Sequence, residues 1–231
     1  QYKRNGDHEE ALKQYRESLA YNDTVYQVHY SLAELLMLMG RKEQARAQYL
    51  STLRLNPGHR PSASILAGMY AASGSYDSVL VMYDAIMATD PSDSLLEASV
   101  KIREYLGRDA EALAGLRTLI GRGSNDPDII LRAARLCLKT GDRKSAEEYA
   151  VSALRTRPDD RDALRIAARS ALGLGETGRA VPHLEALAAT DTTDSATLGE
   201  LAKIYRNTGN NKDLMRTLER IHRIDPENTA I

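Results

Sequence analysis

The chain has 231 residues, with 31 Lys and Arg against 32 Asp and Glu, for a formal net charge of −1. That balance excludes a global field drawing the chain to nucleic acid or to an anionic membrane surface. The single cysteine, Cys137, excludes an internal disulfide, and no apolar run approaches the ~20 residues needed to cross a bilayer.

Glycines recur at Gly6, Gly40, Gly74, Gly107, Gly141, Gly175 and Gly209, at intervals of 34, 34, 33, 34, 34 and 34. Five positions after each stands Ala11, Ala45, Val79, Ala112, Ala146, Ala180 or Leu214, and four further on Tyr15, Tyr49, Tyr83, Leu116, Ala150, Leu184 or Leu218. Prolines close four of the units, at Pro57, Pro91, Pro158 and Pro226. A fixed period of this length marks a stack of supersecondary units that bury their apolar faces on one another.

The first unit survives as one helix, about His8–Tyr21, with residues 1–5 as the end of a preceding helix. The second has helices at about Tyr26–Met39 and Lys42–Leu55, the third at about Pro61–Ser73 and Tyr76–Thr89. The fourth, about Asp93–Leu106 and Asp109–Gly121, is one residue short. Aligned on Gly107, its core slots hold Leu96, Ser99, Val100 and Arg103. Moved by one residue they hold Leu95, Ala98, Ser99 and Ile102. The second set is the more apolar and is preferred, with the extra residue absorbed in the turn. Gly121–Pro127 is the most flexible-looking link, in which Asp126 suits an N-cap and Pro127 a first helical position. The fifth unit has helices at about Asp128–Thr140 and Arg143–Thr156, the sixth at Arg161–Leu174 and Thr177–Ala189, the seventh at Asp194–Thr208 and Lys212–Ile224. Pro182, early in its helix, should cause at most a mild distortion. The expected organisation is a single array over 1–231, with units at about 1–23 (partial), 24–57, 58–91, 92–126, 127–159, 160–193 and 194–227. Asn228–Ile231 then begins another helix, and the whole is read as a fragment of a longer protein.

These residues resemble the tetratricopeptide repeat (TPR), a helix–turn–helix of 34 residues whose pattern is W-x2-L-G-x2-Y, A-x3-F, P. The second half is well kept, as in Ala45-x3-Tyr49 and then Pro57. In the first half Leu32, Ala33 and Leu36 stand for Leu-Gly and Tyr, as do Leu66, Ala67 and Tyr70 one unit on. The Trp slot holds His29, Ala63, Ile130, Leu164 and Leu198. The resemblance implies an all-α fold: a right-handed superhelix, or α-solenoid, of antiparallel helix pairs. Each position has a mechanical reason. Small residues at Ala33, Ala67, Ala134, Ala168 and Ala202 let paired helices approach. Glycine relieves strain where the first helix ends in a left-handed turn, and proline cannot continue the second.

The resemblance also implies that the first helix of each pair lines a concave groove that binds a peptide or partner protein. In the fifth to seventh units the stretches Ile129–Thr140, Ala163–Leu174 and Ala196–Asn207 of those helices carry Arg132, Arg135, Lys139, Arg165, Arg169, Lys203 and Arg206 against one acid, Glu200. Acids such as Asp128, Asp142, Asp159, Asp160 and Asp194 lie instead at helix starts, where they suit the helix dipole. Two readings follow: solubilising charge on an exposed face, or a basic groove for an acidic segment. The second unit offers Tyr30, Glu34, Met37 and Leu38, and the third Ser64, Gly68, Ala71 and Ala72, a smoother and more apolar surface. TPR proteins that clamp a chaperone carboxylate use a Lys/Asn, Asn, Lys/Arg set. Here those places hold Leu131, Arg135, Ile166, Ala196 and Glu200, which do not match.

No nucleophile has a plausible base, and no cofactor or metal is expected: His8, His29, His59, His183 and His222 are scattered. Cys137 falls on a core slot and reads as a packed thiol. The leading function is therefore a non-enzymatic protein-interaction scaffold. The alternative is a recruitment or assembly module of a larger enzyme or of a secretion or envelope complex. Nucleic-acid binding is disfavoured, since Trp and Phe are absent and single strands want aromatic platforms among the cations. End-to-end self-association is a further expectation, through Leu12, Tyr15 and Leu19 at one end and Leu214, Leu218 and Ile221 at the other.

Overall fold

The structure, a computed structural model, describes residues 8–225. The readings made for residues 1–5 and Asn228–Ile231 lie outside them. The described residues form thirteen α-helices and no strand: α1 (His8–Tyr21), α2 (Tyr26–Leu38), α3 (Lys42–Leu55), α4 (Arg60–Ala72), α5 (Tyr76–Thr89), α6 (Asp93–Tyr105), α7 (Asp109–Gly121), α8 (Pro127–Lys139), α9 (Arg143–Thr156), α10 (Arg161–Gly173), α11 (Thr177–Thr190), α12 (Ser195–Thr208) and α13 (Asn211–Ile224). None of them is long and apolar enough to cross a membrane. The chain divides between Ile102 and Arg103 into two compact units.

The turns within pairs repeat one geometry. Gly40, Gly74, Gly107, Gly141, Gly175 and Gly209 all have φ between +71 and +86°. The next amide reaches back five residues: Arg41 N–H to the Leu36 carbonyl at 2.9 Å, Arg108 to Arg103 at 2.8 Å, Asn210 to Tyr205 at 2.9 Å. This Schellman closure satisfies carbonyls that the helix end leaves open, and its left-handed residue explains the glycine. The segment read as most flexible is closed in the same way. Gly123 has φ +97°, Ser124 N–H reaches the Leu119 carbonyl at 3.1 Å, and the Asp126 carboxylate caps α8 at Asp128 N–H, 2.9 Å away. Residues preceding proline (Asn56, Asp90, Arg157) have ψ of 81–88°, outside the helical region from which the proline ring excludes them. α11 runs through Pro182 unbroken.

The expected register of α6 is corrected. Ser99 and Val100 are fully buried, whereas Leu95, Ala98 and Ile102 are only partly so. Val100 takes the small-residue slot that Ala33, Ala67, Ala134, Ala168 and Ala202 fill elsewhere, and the buried Ser99 hydroxyl is satisfied by the Leu96 carbonyl at 2.7 Å. The turn at Gly107 is ordinary. The missing residue lies before the helix, in a connection of three residues, Asp90–Ser92, where α3–α4, α9–α10 and α11–α12 have four. A turn locked by its hydrogen bonds cannot absorb a change of length, but an irregular loop can.

In the first unit the core gathers Leu32, Ala33, Leu36, Ala45, Tyr49, Leu66, Ala67 and Val79. His29, in the Trp slot, is buried and structural: Nε2 donates to the Asp23 carbonyl at 2.9 Å and Nδ1 meets the Gln48 amide at 2.7 Å. In the second unit one core cluster gathers Ala168, Leu184, Leu198, Leu201, Tyr205 and Ile221. The Tyr205 hydroxyl donates to Glu185 at 2.5 Å; burial first, then that bond, raises its pKa. Cys137 is a buried free thiol, pushed up by burial. Leu12 and Ile221, expected at open ends, are instead buried at 2% and 3% exposure. Each faces the helix it packs on, α1 against α2 and α13 against α12.

Two tests follow. The Ser170 hydroxyl on α10 is buried without a hydrogen-bond partner among the described residues, so Ser170→Ala should leave the melting temperature unchanged or raise it, because it removes an uncompensated polar group. The second concerns Asp194, which caps α12 at Thr197 N–H (3.0 Å) and also accepts the Thr197 hydroxyl (2.8 Å). Those bonds, the backbone one foremost, hold its carboxyl below the usual range. A depressed folded pKa means stabilisation that is present above the unfolded value and lost as pH falls through the folded one. Asp194→Ala should cost about 1 kcal/mol in urea unfolding at neutral pH, and the penalty should shrink below about pH 4. Asp194→Asn should keep the cap and lose the pH dependence.

Candidate functional site

The first helix of each pair turns one side to its partner and leaves another exposed. In the second unit those helices are α8, α10 and α12. Arg132 on α8 forks onto Glu104 of α6, with Nη2 at 2.6 Å and Nε at 3.1 Å from carboxylate oxygens, and both side chains are largely covered. Arg135 reaches Asp162 of α10 at 2.5 Å, and Lys139 reaches Asp109 of α7 at 2.6 Å. These three cations are committed to acids of neighbouring repeats. Arg165 makes a longer contact with Asp162, 3.4 Å. Arg169, Lys203 and Arg206 are exposed and make no ion pair among the described residues.

Seven cations facing one acid is therefore not what the folded surface presents. Asp162 lies in the first turn of α10; the cap is Asp160, which accepts Ala163 N–H at 3.0 Å. A hollow between α8 and α10 is lined by Arg135, Leu138, Lys139, Asp162, Arg165 and Arg169. A second, of about 150 Å³, adds Asp194 and Glu200 to Arg165 and Arg169. That is too small for a drug-sized ligand, and its scale is that of a side chain.

In the first of the two compact units, which ends at Ile102, Tyr30, Glu34 and Met37 of α2 lie together. The Tyr30 ring meets His59 edge-on with centroids 4.7 Å apart and tilts against Tyr49 at 6.0 Å. Burial, then the Glu34 carboxylate beside it, raises its pKa. The same causes push Tyr49 up to about 12. Glu34, Met37, Leu38, Tyr49 and Ile65 enclose a hollow of about 370 Å³. Met37 and Ile65 continue into a second hollow, where Gly68, Met69 and Ala72 face Lys42, Glu43 and Arg46. Tyr49 and Ile65 were missed as site residues. Tyr49 occupies a core slot and Ile65 faces α2 only once the pairs are stacked.

Two tetratricopeptide repeat family models match the chain, over residues 3–67 and 131–196. The chain is a tetratricopeptide repeat protein. It is 28% identical over 109 residues to mouse (Mus musculus) tetratricopeptide repeat protein 21A, a match covering 47% of this chain and 8% of that relative's length. Among solved structures, the C-terminal part of a TPR repeat-containing protein from Cytophaga hutchinsonii overlays with a TM-score of 0.58 at 14% identity, covering 99% of this chain and 95% of that one. MamA gives 0.58 at 12% identity, covering 74% and 94%. YrrB, described as a TPR protein with an unusual peptide-binding site, gives 0.52 at 16% identity, covering 80% and 96%. At these identities the structural likeness shows the fold. The family is one of protein-interaction scaffolds.

The division between structural and uncommitted cations is measurable. Arg132→Ala leaves Glu104 partly covered and unpaired and should cost about 1–2 kcal/mol in chemical denaturation, between the values for exposed and buried pairs. Arg169→Ala should stay within about 0.5 kcal/mol of the parent.

Proposed function

We propose that this TPR array is a non-catalytic scaffold that holds an acidic segment of a partner protein along α10 and α12, through Arg165, Arg169, Lys203 and Arg206. One observation carries the reading. Where Arg132, Arg135 and Lys139 are satisfied by Glu104, Asp162 and Asp109, Arg165 of the next repeat has only a 3.4 Å contact with Asp162, and Arg169, Lys203 and Arg206 make no ion pair among the described residues, which leaves their charge for a ligand. Solubility alone does not require that charge to be concentrated on one side of two successive ligand-facing helices. The small hollow beside Arg165 and Arg169 supports recognition of individual side chains from an extended segment. Complementary charge of this kind steers encounter and fixes register more than it adds affinity.

The test is fluorescence anisotropy with a short labelled peptide, capped at both ends and alternating Glu with Leu. Binding should weaken with salt and fall about tenfold or more in Arg169→Glu/Lys203→Glu. Lys144→Glu, an exposed charge on a second helix, should leave it unchanged. Equal affinity in both variants, or equal affinity for a Lys–Leu peptide, would remove the acidic-segment reading.

A further inference from the structure

We propose that the hollow between α2 and α4, lined by Glu34, Met37, Leu38, Tyr49 and Ile65, receives a lysine or arginine side chain of a bound peptide. This rests on the reading of the ligand-facing helices as a peptide site, but it concerns the first unit and a ligand of opposite charge. The walls are apolar and long. Met37 and Ile65 form one side, and Leu38, 64% exposed, forms the rim. Such walls match the aliphatic stem of a basic side chain, which packs its methylenes while its charged head stays hydrated. Methionine adapts to either head group.

The hollow's single charge is the Glu34 carboxylate. It lies beside the Tyr30 hydroxyl, and the Tyr30 ring is itself packed between Tyr49 and His59. The Tyr30 and Tyr49 hydroxyls are protonated at neutral pH, and burial and the Glu34 charge raise their pKa values further, so neither adds a second negative charge. A hydrocarbon occupant would gain nothing from the Glu34 charge, and an acidic one would be repelled by it. A cation on a flexible apolar stem meets both demands at once.

The experiment is a two-dimensional amide NMR titration of the whole chain with three capped single residues: Nα-acetyl-lysine, Nα-acetyl-norleucine and Nα-acetyl-glutamate N-methylamides. Lysine should shift the amides around Glu34, Met37, Leu38 and Ile65 saturably, with norleucine about fivefold weaker, the scale of a partly exposed ion pair. Glu34→Gln, which keeps an acceptor for Tyr30, should bring lysine down to the norleucine level. Norleucine binding as well as lysine, glutamate binding at these residues, or no localised shift with any probe would overturn the proposal. None of those results bears on Arg169 and Lys203, so the two readings fail separately.

Discussion

Each helix pair in this chain closes through one left-handed residue, and the rest depends on that closure. With φ near +71° at Gly40, Gly74, Gly107 and Gly209, the chain reverses in a single step and the second helix returns against the first. The small column of Ala33, Ala67, Val100, Ala134, Ala168 and Ala202 then sets how near the two helices come. A side chain at the turn would strain the backbone, and a larger residue in the column would push the helices apart. The pair buries only part of its apolar stripe, so each unit needs a neighbour, and stacking sets the first helices side by side with one face free.

Charge on that face has two uses that look alike in a sequence. Most exposed ion pairs add little to stability, yet they fix how one repeat sits on the next. Arg132–Glu104, Lys139–Asp109 and Arg117–Asp142 all join the fourth pair to the fifth, across the glycine-containing link that looked loosest. A related clasp ties the start of a first helix to the end of the second within one pair, in Arg161–Asp191, Arg157–Asp128 and Arg60–Asp90. In two of these an arginine at a helix start and an aspartate just past a helix end cancel each other's unfavourable interaction with the helix dipoles. Glu147 is buried with Arg179 reaching across from the next repeat at 2.9 Å, where an unpaired carboxylate would be costly. Cations outside these clasps are the ones with charge to offer a ligand.

The helices and their turns were legible because each requirement is local. Glycine at a fixed interval, an apolar stripe of helical period and an aspartate one residue before a helix are all written within a dozen residues. The register of α6 was not. Leu95 and Ile102 made the more apolar set, but the buried slot is occupied by Val100 because the turn at Gly107 keeps its hydrogen bonds and the shortened loop at Asp90–Ser92 yields. Apolarity ranks candidate faces, whereas the spacing from a rigid turn selects one. Two of the end residues were misjudged for a similar reason: Leu12 and Ile221 face the helix they pack on, which one helix alone does not reveal, while Tyr15, Leu19, Leu214 and Leu218 are only partly covered.

By itself the amino-acid sequence determined the class of fold, the repeat length, the caps, and which helices carry the cations Arg132 through Arg206 and the pair Tyr30 and Glu34. Local backbone preference and periodicity suffice for all of these. Only the tertiary structure decided which cations are already spent and what surrounds Glu34. Arg132 meets Glu104 and Lys139 meets Asp109 across 28 and 30 residues of chain, and Ile65 closes a hollow begun by α2. Contacts of that span exist only after separate helix pairs have stacked, and no pattern within one pair encodes them.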